Sequence, residues 1–322
     1  MGDKAPNVKL LITGASGFLG RHLCAAAVGK GIPIRRAVRR STGSGDWGMG
    51  DISGKTDWSA ALKGVDTVIH LAGRVHIMQD HGNHLLAEFR RVNAEGTFNL
   101  AIQAARAGAR RFIFISSSKV NGEMTLPRIP FTTNDKPAPV GPYALSKYEA
   151  EQTLQTVNGK TGLEIVIIRP PLIYGPGAKA NFRKLIEAVD RGIPLPFGSI
   201  QNRRSFLSLT NLVDLIYRCV EHPKAAGATF LASDGEDVST PELVRRIAKA
   251  LGRPAKLLPV PEWLMKLGGT ITGKSAEVER LCGSLQIDSS KARRVLGWTP
   301  RCSMEEELRR VAEWWKSADF AD

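Results

Sequence analysis

Val8-Lys9-Leu10-Leu11-Ile12-Thr13-Gly14-Ala15-Ser16-Gly17-Phe18-Leu19-Gly20 starts as an apolar run and ends in three evenly spaced glycines. The run to Thr13 reads as a buried strand, because a parallel strand covered on both faces is continuously apolar. Arg21 to Gly29 then reads as a helix with a glycine stop. Strand, glycine loop and helix in this order suit a pyrophosphate. Glycines let the backbone turn tightly and approach the anion, and a helix N-terminus offers it N–H groups and partial positive charge. The spacing is Gly-x-x-Gly-x-x-Gly rather than the commoner Gly-x-Gly-x-x-Gly.

Ile32 to Val38 reads as the second strand. In NAD-binding units its end carries an acid for the adenosine ribose. That place, about eighteen residues past the last loop glycine, holds Val38, and Arg39 and Arg40 follow. Missing acid and adjacent arginine favour the 2′-phosphate of NADP(H), with NAD(H) still possible. Gly50-Asp51-Ile52 precedes a helix over Thr56–Lys63, and Val65 to Gly73 reads as a buried strand ending in small residues. A polar insert follows, then a long helix from about His84 to Ala107 carrying Asn93 and Gly96. Arg111 to Ile115 is the next strand, ending in Ser116-Ser117-Ser118, and Glu164 to Arg169 is another. Such strand–helix alternation predicts an α/β fold, a doubly wound parallel sheet of the Rossmann type with ligands at the carboxyl ends of its strands.

Gly141-Pro142-Tyr143-Ala144-Leu145-Ser146-Lys147 pairs a tyrosine with a lysine at helical spacing. Pro142 suits a helix start. On a helix, Tyr143 and Lys147 lie one above the other. A cation beside the phenol is expected to lower its pKa from about 10, as proton exchange near neutrality requires.

Composition narrows the function classes. The 322 residues suffice for a full core and two lobes, and 43% hydrophobic with 24% charged residues is globular composition. No stretch reaches membrane-span length. Met1 to Lys9 is short and polar, unlike a signal peptide, and Pro6 breaks a myristoylation pattern. A cytoplasmic protein off the membrane is therefore expected. Cys24, Cys219, Cys282 and Cys302 are widely spaced without a histidine cluster, so no metal site is expected. The net charge of +14 favours anionic partners, but the arginines are scattered in pairs without interleaved aromatics, which argues against nucleic acid.

Together these residues resemble the extended short-chain dehydrogenase/reductase family, in its sugar-nucleotide epimerase, dehydratase and reductase branch. The resemblance spans nearly the whole chain. It rests on Gly14/Gly17/Gly20, Asp51, His70-Leu71-Ala72-Gly73, Val92-Asn93 with Gly96-Thr97, the serine strand end, Val120-Asn121-Gly122, Tyr143/Lys147 and Arg169 to Pro176. It implies Ser117, Tyr143 and Lys147 as the catalytic set. It implies cofactor contacts from Gly14, Gly17, Phe18, Leu19, Gly20, Arg39, Asp51, Ile52, Leu71, Ala72, Gly73, Asn93, Ser116 and Pro170, besides Tyr143 and Lys147. For a UDP-sugar it implies Asn181 near the diphosphate, Leu195 and Phe197 bracketing the base, and Arg204 and Arg280 on the diphosphate. A homodimer through helices 84–107 and 141–158 is also implied. Asn121 stands where the family usually has tyrosine, and Leu172 where many members have a phosphate-binding asparagine.

The expected domains are a cofactor domain over 1–170 with about 205–222, and a substrate lobe over 171–204 and 223–322. There Ser239-Thr240-Pro241 reads as a helix start, and Pro261 to Ile271 as a core helix of the small lobe or an exposed hydrophobic face, with the core favoured. The expected function is an NAD(P)-dependent oxidoreductase at C4, reducing a UDP-4-keto-6-deoxy-N-acetylhexosamine for surface polysaccharide precursors. The alternative is a UDP-hexose 4-epimerase on UDP-glucose or UDP-N-acetylglucosamine. A dehydratase is disfavoured because Ser118-Lys119, not Asp-Glu, follows Ser117. A non-catalytic cofactor- or RNA-binding relative would typically lack the Tyr/Lys pair.

Overall fold

The computed structural model describes residues 9–41, 43, 45–75, 84–126 and 128–317. Val8, the first residue of the predicted first strand, lies outside them, as do most of the N-terminal segment and part of the polar insert.

The first half alternates as the apolar runs predict. β1 (Leu10–Thr13) leads into α1 (Phe18–Gly29), then β2 (Ile34–Val38), β3 (Asp46–Gly48), α2 (Ser59–Leu62) and β4 (Thr67–His70). β3 was not anticipated, and α2 is much shorter than the helix expected over 56–63. The long helix expected from His84 is interrupted. α3 (His84–Phe89) passes through a π-helical turn, Arg90–Glu95, into α4 (Gly96–Arg106). β5 (Arg111–Ile115), a 3-10 turn at Ser118–Val120, α5 (Gly141–Thr161) and β6 (Glu164–Arg169) complete this half.

The second half carries β7 (Leu172–Tyr174), α6 (Ala180–Asp190), β8 (Arg204–Ser208), α7 (Leu209–Glu221), β9 (Thr229–Leu231) and β10 (Asp237–Val238). Five helices end the described chain: α8 (Thr240–Leu251), α9 (Glu262–Ile271), α10 (Ser275–Cys282), α11 (Ser290–Leu296) and α12 (Met304–Ser317). The Ser239 hydroxyl accepts from the Glu242 N–H at 3.2 Å, confirming the cap read at the start of α8.

The large sheet has the order β3-β2-β1-β4-β5-β6-β9, with every pairing parallel. It reverses between β1 and β4, so a crevice opens at their carboxyl ends, where such sheets bind ligands. One core packs α1 and α7 against one face, through Leu23, Leu212, Leu215 and Ile216. The other packs α4 and α5 through Leu100, Ala104, Leu154 and Val157. Each fully buried Leu or Ile stabilises by about 1.5–3 kcal/mol.

A small sheet, β10-β8-β7, begins the second lobe. Two expected boundaries shift. β9, assigned above to the substrate lobe, pairs with β6 at the edge of the large sheet. β8 pairs with β7 and β10 instead of joining the first lobe. It bridges both cores, because Phe206 faces the small-lobe core and Leu207 the large one, as strand alternation requires. In α9 the exposed-face alternative holds over the favoured core reading. Trp263, Leu264, Leu267 and Ile271 are exposed, and Gly269 is its only buried residue.

Candidate active site

The glycine loop closes over the end of β1. Gly14 has φ +67°, a conformation that side chains rarely adopt. A Cβ on Gly14 would stand 2.9 Å from the Ala72 nitrogen, and one on Gly20 only 2.1 Å from the Gly14 oxygen. The loop therefore needs bare backbone on both sides. Gly17 is the N-cap of α1 and supplies no capping side chain, so the first N–H groups of that helix keep their donors for another acceptor. Ser16 and Gly17 are exposed at this mouth, Phe18 is half-buried and Leu19 is buried in the core. Crowded glycines and an uncapped helix start fit a dinucleotide pyrophosphate.

Leu71, Ala72 and Gly73 run beside the loop, tied in by a chain of polar groups. The Ala72 N–H donates to the Thr13 hydroxyl at 3.2 Å, and Thr13 meets His70 Nδ1 at 2.7 Å. His70 Nε2 meets the Thr97 hydroxyl at 3.0 Å, which itself donates to the Asn93 carbonyl at 2.6 Å. Thr97 thus accepts from His70, which places the imidazole proton on Nε2. Burial, with the nearby Lys147 charge, pushes His70 down to about 3, keeping it neutral. Buried Asn93 sits in the π turn. Its Oδ1 accepts from the Arg74 N–H at 2.8 Å, and its Nδ2 donates to the Arg74 carbonyl and the Ser146 hydroxyl, each at 3.0 Å. Such wide turns often mark functional positions.

At the end of β2, Val38 is buried and exposed Arg39 pairs with Asp51 at 3.0 Å. The two residues expected there are brought together, with the arginine already on a carboxylate. Ile52 packs on Gly96, where a Cβ would come within 2.6 Å of its Cγ2.

Ser117, Tyr143 and Lys147 converge from two elements. Tyr143 lies in the first turn of α5, and Ser117 caps the 3-10 turn after β5, accepting from the Lys119 N–H at 3.2 Å. Ser117 lies close enough to the Tyr143 phenol to favour its ionised form. The phenol pKa is not lowered as expected. Burial drives it up to about 12, and the Ser117 contact only partly opposes this. Lys147 does not supply the expected offset. Its ammonium donates to the Ile115 carbonyl at 2.9 Å and lies 4.5 Å from the centre of the Phe114 ring. Burial lowers Lys147 to about 8, against the pull of Glu151. A Cβ on Gly73 would stand 3.3 Å from this ammonium.

Ser116 departs from its expected role. It is buried, and its hydroxyl donates to Glu151 rather than standing free for a cofactor. Pro170 is buried and its carbonyl accepts from the Ser118 N–H at 2.9 Å, fixing the serine strand end to β6.

In the second lobe the outcome is mixed. Asn181 is exposed near the start of α6 and Phe197 is half-buried. Leu195 does not bracket a base with its side chain. It is buried in the small-lobe core, and its backbone is engaged by Lys256 and Leu258. Arg204 and Arg280 do come together: Arg204 Nη1 donates to the Arg280 carbonyl at 2.6 Å and to that of Gly283 at 2.9 Å. Lys119 feels the charge of both. Sequence reasoning missed Glu151 as part of this centre. Its signal was the helical spacing Tyr143-Lys147-Glu151. Among the described residues no cluster suits a metal ion, and no helix is long and apolar enough to cross a membrane.

Comparison with known proteins agrees with this geometry. Residues 10–232 match the NAD dependent epimerase/dehydratase family. The chain is 48% identical over 317 residues to the UDP-glucose 4-epimerase of Vibrio cholerae, covering 97% of each chain. It superposes with a TM-score of 0.77 and 25% identity on MoeE5 solved in complex with UDP-glucuronic acid and NAD, covering 96% of this chain and 99% of that one. A UDP-N-acetylglucosamine 4-epimerase from Bacillus cereus shares the fold, with a TM-score of 0.79 at 21% identity over 98% and 99% of the two chains. Family match, glycine cradle and Ser117–Tyr143–Lys147 arrangement agree, and the chain belongs to the NAD dependent epimerase/dehydratase family.

Proposed function

We propose that the protein is a UDP-hexose 4-epimerase, inverting C4 of UDP-glucose or its N-acetyl analogue. The observation that carries this reading is the near-full-length match to the Vibrio cholerae epimerase. It reverses the order of the two readings drawn from sequence, in which the 4-ketoreductase came first.

Gly14, Gly17 and Gly20 with the start of α1 would hold the pyrophosphate of the cofactor, and Asp51 and Arg39 its adenosine end. Bound NAD(P) supplies the acceptor and then the donor of a hydride at C4. Tyr143 takes the proton of the C4 hydroxyl as that carbon is oxidised, and returns it after the sugar has presented its other face. Ser117 donates a hydrogen bond to the same oxygen, stabilising negative charge that develops mainly in the transition state. A phenol held near 12 is a poor base at neutral pH, so positive charge must be brought close to it. Lys147, one turn along α5, would provide it by turning from the Ile115 carbonyl toward the phenol. Arg204 and Arg280, with Lys119 beside them, would take the substrate diphosphate, since arginine suits paired phosphate oxygens.

The 4-ketoreductase remains as a second reading because of one observation. The end of β2 offers Val38 and the exposed Arg39 where an acid would favour NAD. Arg39 can leave Asp51 for a 2′-phosphate, which favours NADP(H) and net reduction. Incubation with UDP-glucose and UDP-N-acetylglucosamine, followed by NMR of the sugars, separates the two. Interconversion with no net change in cofactor absorbance supports the epimerase. NADPH oxidation dependent on a UDP-4-keto sugar, without interconversion, supports the reductase.

A further inference from the structure

Directly behind the reacting groups lies a buried ionic network that the mechanism above does not use. Glu151 and Arg169 form an ion pair with both side chains almost wholly inaccessible, 2% and 7% exposed. Arg169 Nε donates to both carboxylate oxygens, at 2.9 and 3.2 Å, and Nη2 donates to Oε2. The Ser116 hydroxyl donates to Oε1 of the same carboxylate. Arg169 Nη1 donates to Asn121 Oδ1 at 2.9 Å, and Asn121 Nδ2 donates to the Thr132 carbonyl at 3.0 Å. Ser116 and Asn121 therefore bracket Ser117 in sequence, and both are tied to this pair. On the helix, Glu151 stands one turn beyond Lys147, as Lys147 stands one turn beyond Tyr143.

Burying an ion pair brings little net stability, because desolvation offsets the attraction. Its value here is geometric. We propose that Glu151 is a positioning residue for the C4 reaction: clamped by Arg169 and Ser116, its carboxylate holds the turn bearing Ser117 in register with Tyr143 and sets a negative charge one helical turn from Lys147. This rests on the reading of Ser117, Tyr143 and Lys147 as the reacting set. Asn121 has a defined part in it, closing the far side of the Arg169 guanidinium.

The charge balance around Lys147 is specific. On its own helix it has Tyr143, neutral in this range, and Glu151, which favours the ammonium. From β4 it faces neutral His70, from β5 the Phe114 ring and Ile115 carbonyl, and beside it lie Asn93 and the backbone of Gly73. Arg169 on β6 lies behind Glu151, and Lys291 of α11 lies within reach of Arg169's charge. Glu151 is thus the carboxylate that offsets this cationic surrounding. Replacing it by glutamine keeps the shape, removes the negative charge and leaves Arg169 positive.

The test is a pH titration of Lys147 in the protein without cofactor, labelled with 13Cε-lysine and assigned by its loss in Lys147→Met. Glu151→Gln is expected to move the Lys147 midpoint down by about one pH unit or more, and Glu151→Asp to leave it near wild type. An unmoved midpoint in Glu151→Gln overturns the proposal. In the UDP-glucose assay the alkaline limb of kcat/KM is expected to shift down with it, whereas a merely structural role lowers the profile in parallel at every pH. If Glu151→Gln does not fold, Ser116→Ala carries the test: kcat is expected to fall severalfold with KM unchanged, and unchanged kcat overturns the proposal. Tyr143→Phe, run alongside, separates the two claims. An active Tyr143→Phe removes the reading of the reacting set. An inactive one with a parallel Glu151→Gln profile removes only the role of Glu151.

Discussion

Gly20→Ala adds a single methyl group at the point where the glycine loop and α1 touch. Its Cβ would stand 2.1 Å from the Gly14 oxygen, 2.7 Å from the Ala15 Cα and 2.9 Å from the Ala15 carbonyl carbon. Ordinary contact begins at 3.4 Å. All three atoms are backbone, so no rotamer change relieves the clash, and the Gly14–Ala15 segment must move by about 1 Å. Gly14 is itself confined, with Ala72 and Leu71 backbone on its other side. Overpacking of this kind destabilises by about 1–3 kcal/mol. The larger effect falls on the cofactor. Moving one loop N–H off a phosphate oxygen removes about 1.5–3 kcal/mol, or about 10- to 150-fold in affinity. Gly29, at the other end of the same helix, is the control. Nothing lies within 4 Å of its Cβ position, so Gly29→Ala is expected to stabilise by about 0.5–1 kcal/mol and leave binding alone. Urea denaturation and fluorescence titration with NADH and NADPH measure both quantities. Wild-type cofactor affinity in a folded Gly20→Ala would refute the steric argument, and with it the placement of the pyrophosphate at this loop.

Other outcomes follow from the same geometry. In the folded protein Lys147 loses its proton near pH 8, and in the unfolded chain near 10.5, so the unfolded state binds more protons in between and stability rises with pH. Relative to Lys147→Met, the wild type without cofactor should gain about 2 kcal/mol between pH 8 and 9.5, and denaturation midpoints that stay parallel would contradict this. Arg39→Ala should weaken NADPH about tenfold while changing NADH less than twofold by fluorescence titration; equal losses would remove Arg39 from the phosphate. Arg204→Lys cannot keep the guanidinium's hold on the Arg280 and Gly283 carbonyls, so KM for the UDP-sugar should rise about tenfold with kcat nearly unchanged.

The parallel sheet was legible because its strands are continuous apolar runs, and the glycine loop because strand and helix flank it at fixed spacing. β3 was not, since Asp46-Trp47-Gly48 has no strand pattern and is held by pairing with β2. The π turn was equally hidden, because Asn93 is anchored there by Arg74 and Ser146, distant in sequence. Pro261–Ile271 was weighted toward the core over an exposed face for a different reason. Apolar content records what a helix could bury, and α9 leaves most of it exposed. At the site, Ser117 came from the family resemblance, and the helical pairing of Tyr143 with Lys147 was readable from spacing. The pKa of Tyr143 was not, because spacing places Lys147 on the right face but does not tell that its ammonium reaches back to Ile115. The Glu151–Arg169 pair needed the contact between α5 and β6 before its purpose could be asked.

The most direct test of the account is the fate of UDP-glucose with purified wild type and Tyr143→Phe, in the presence of NAD, followed by proton NMR of the anomeric signals. The account predicts that wild type brings UDP-glucose and UDP-galactose to equilibrium with no net change in cofactor absorbance, and that Tyr143→Phe is slower by at least about a hundredfold. Equal rates in the two proteins would contradict it.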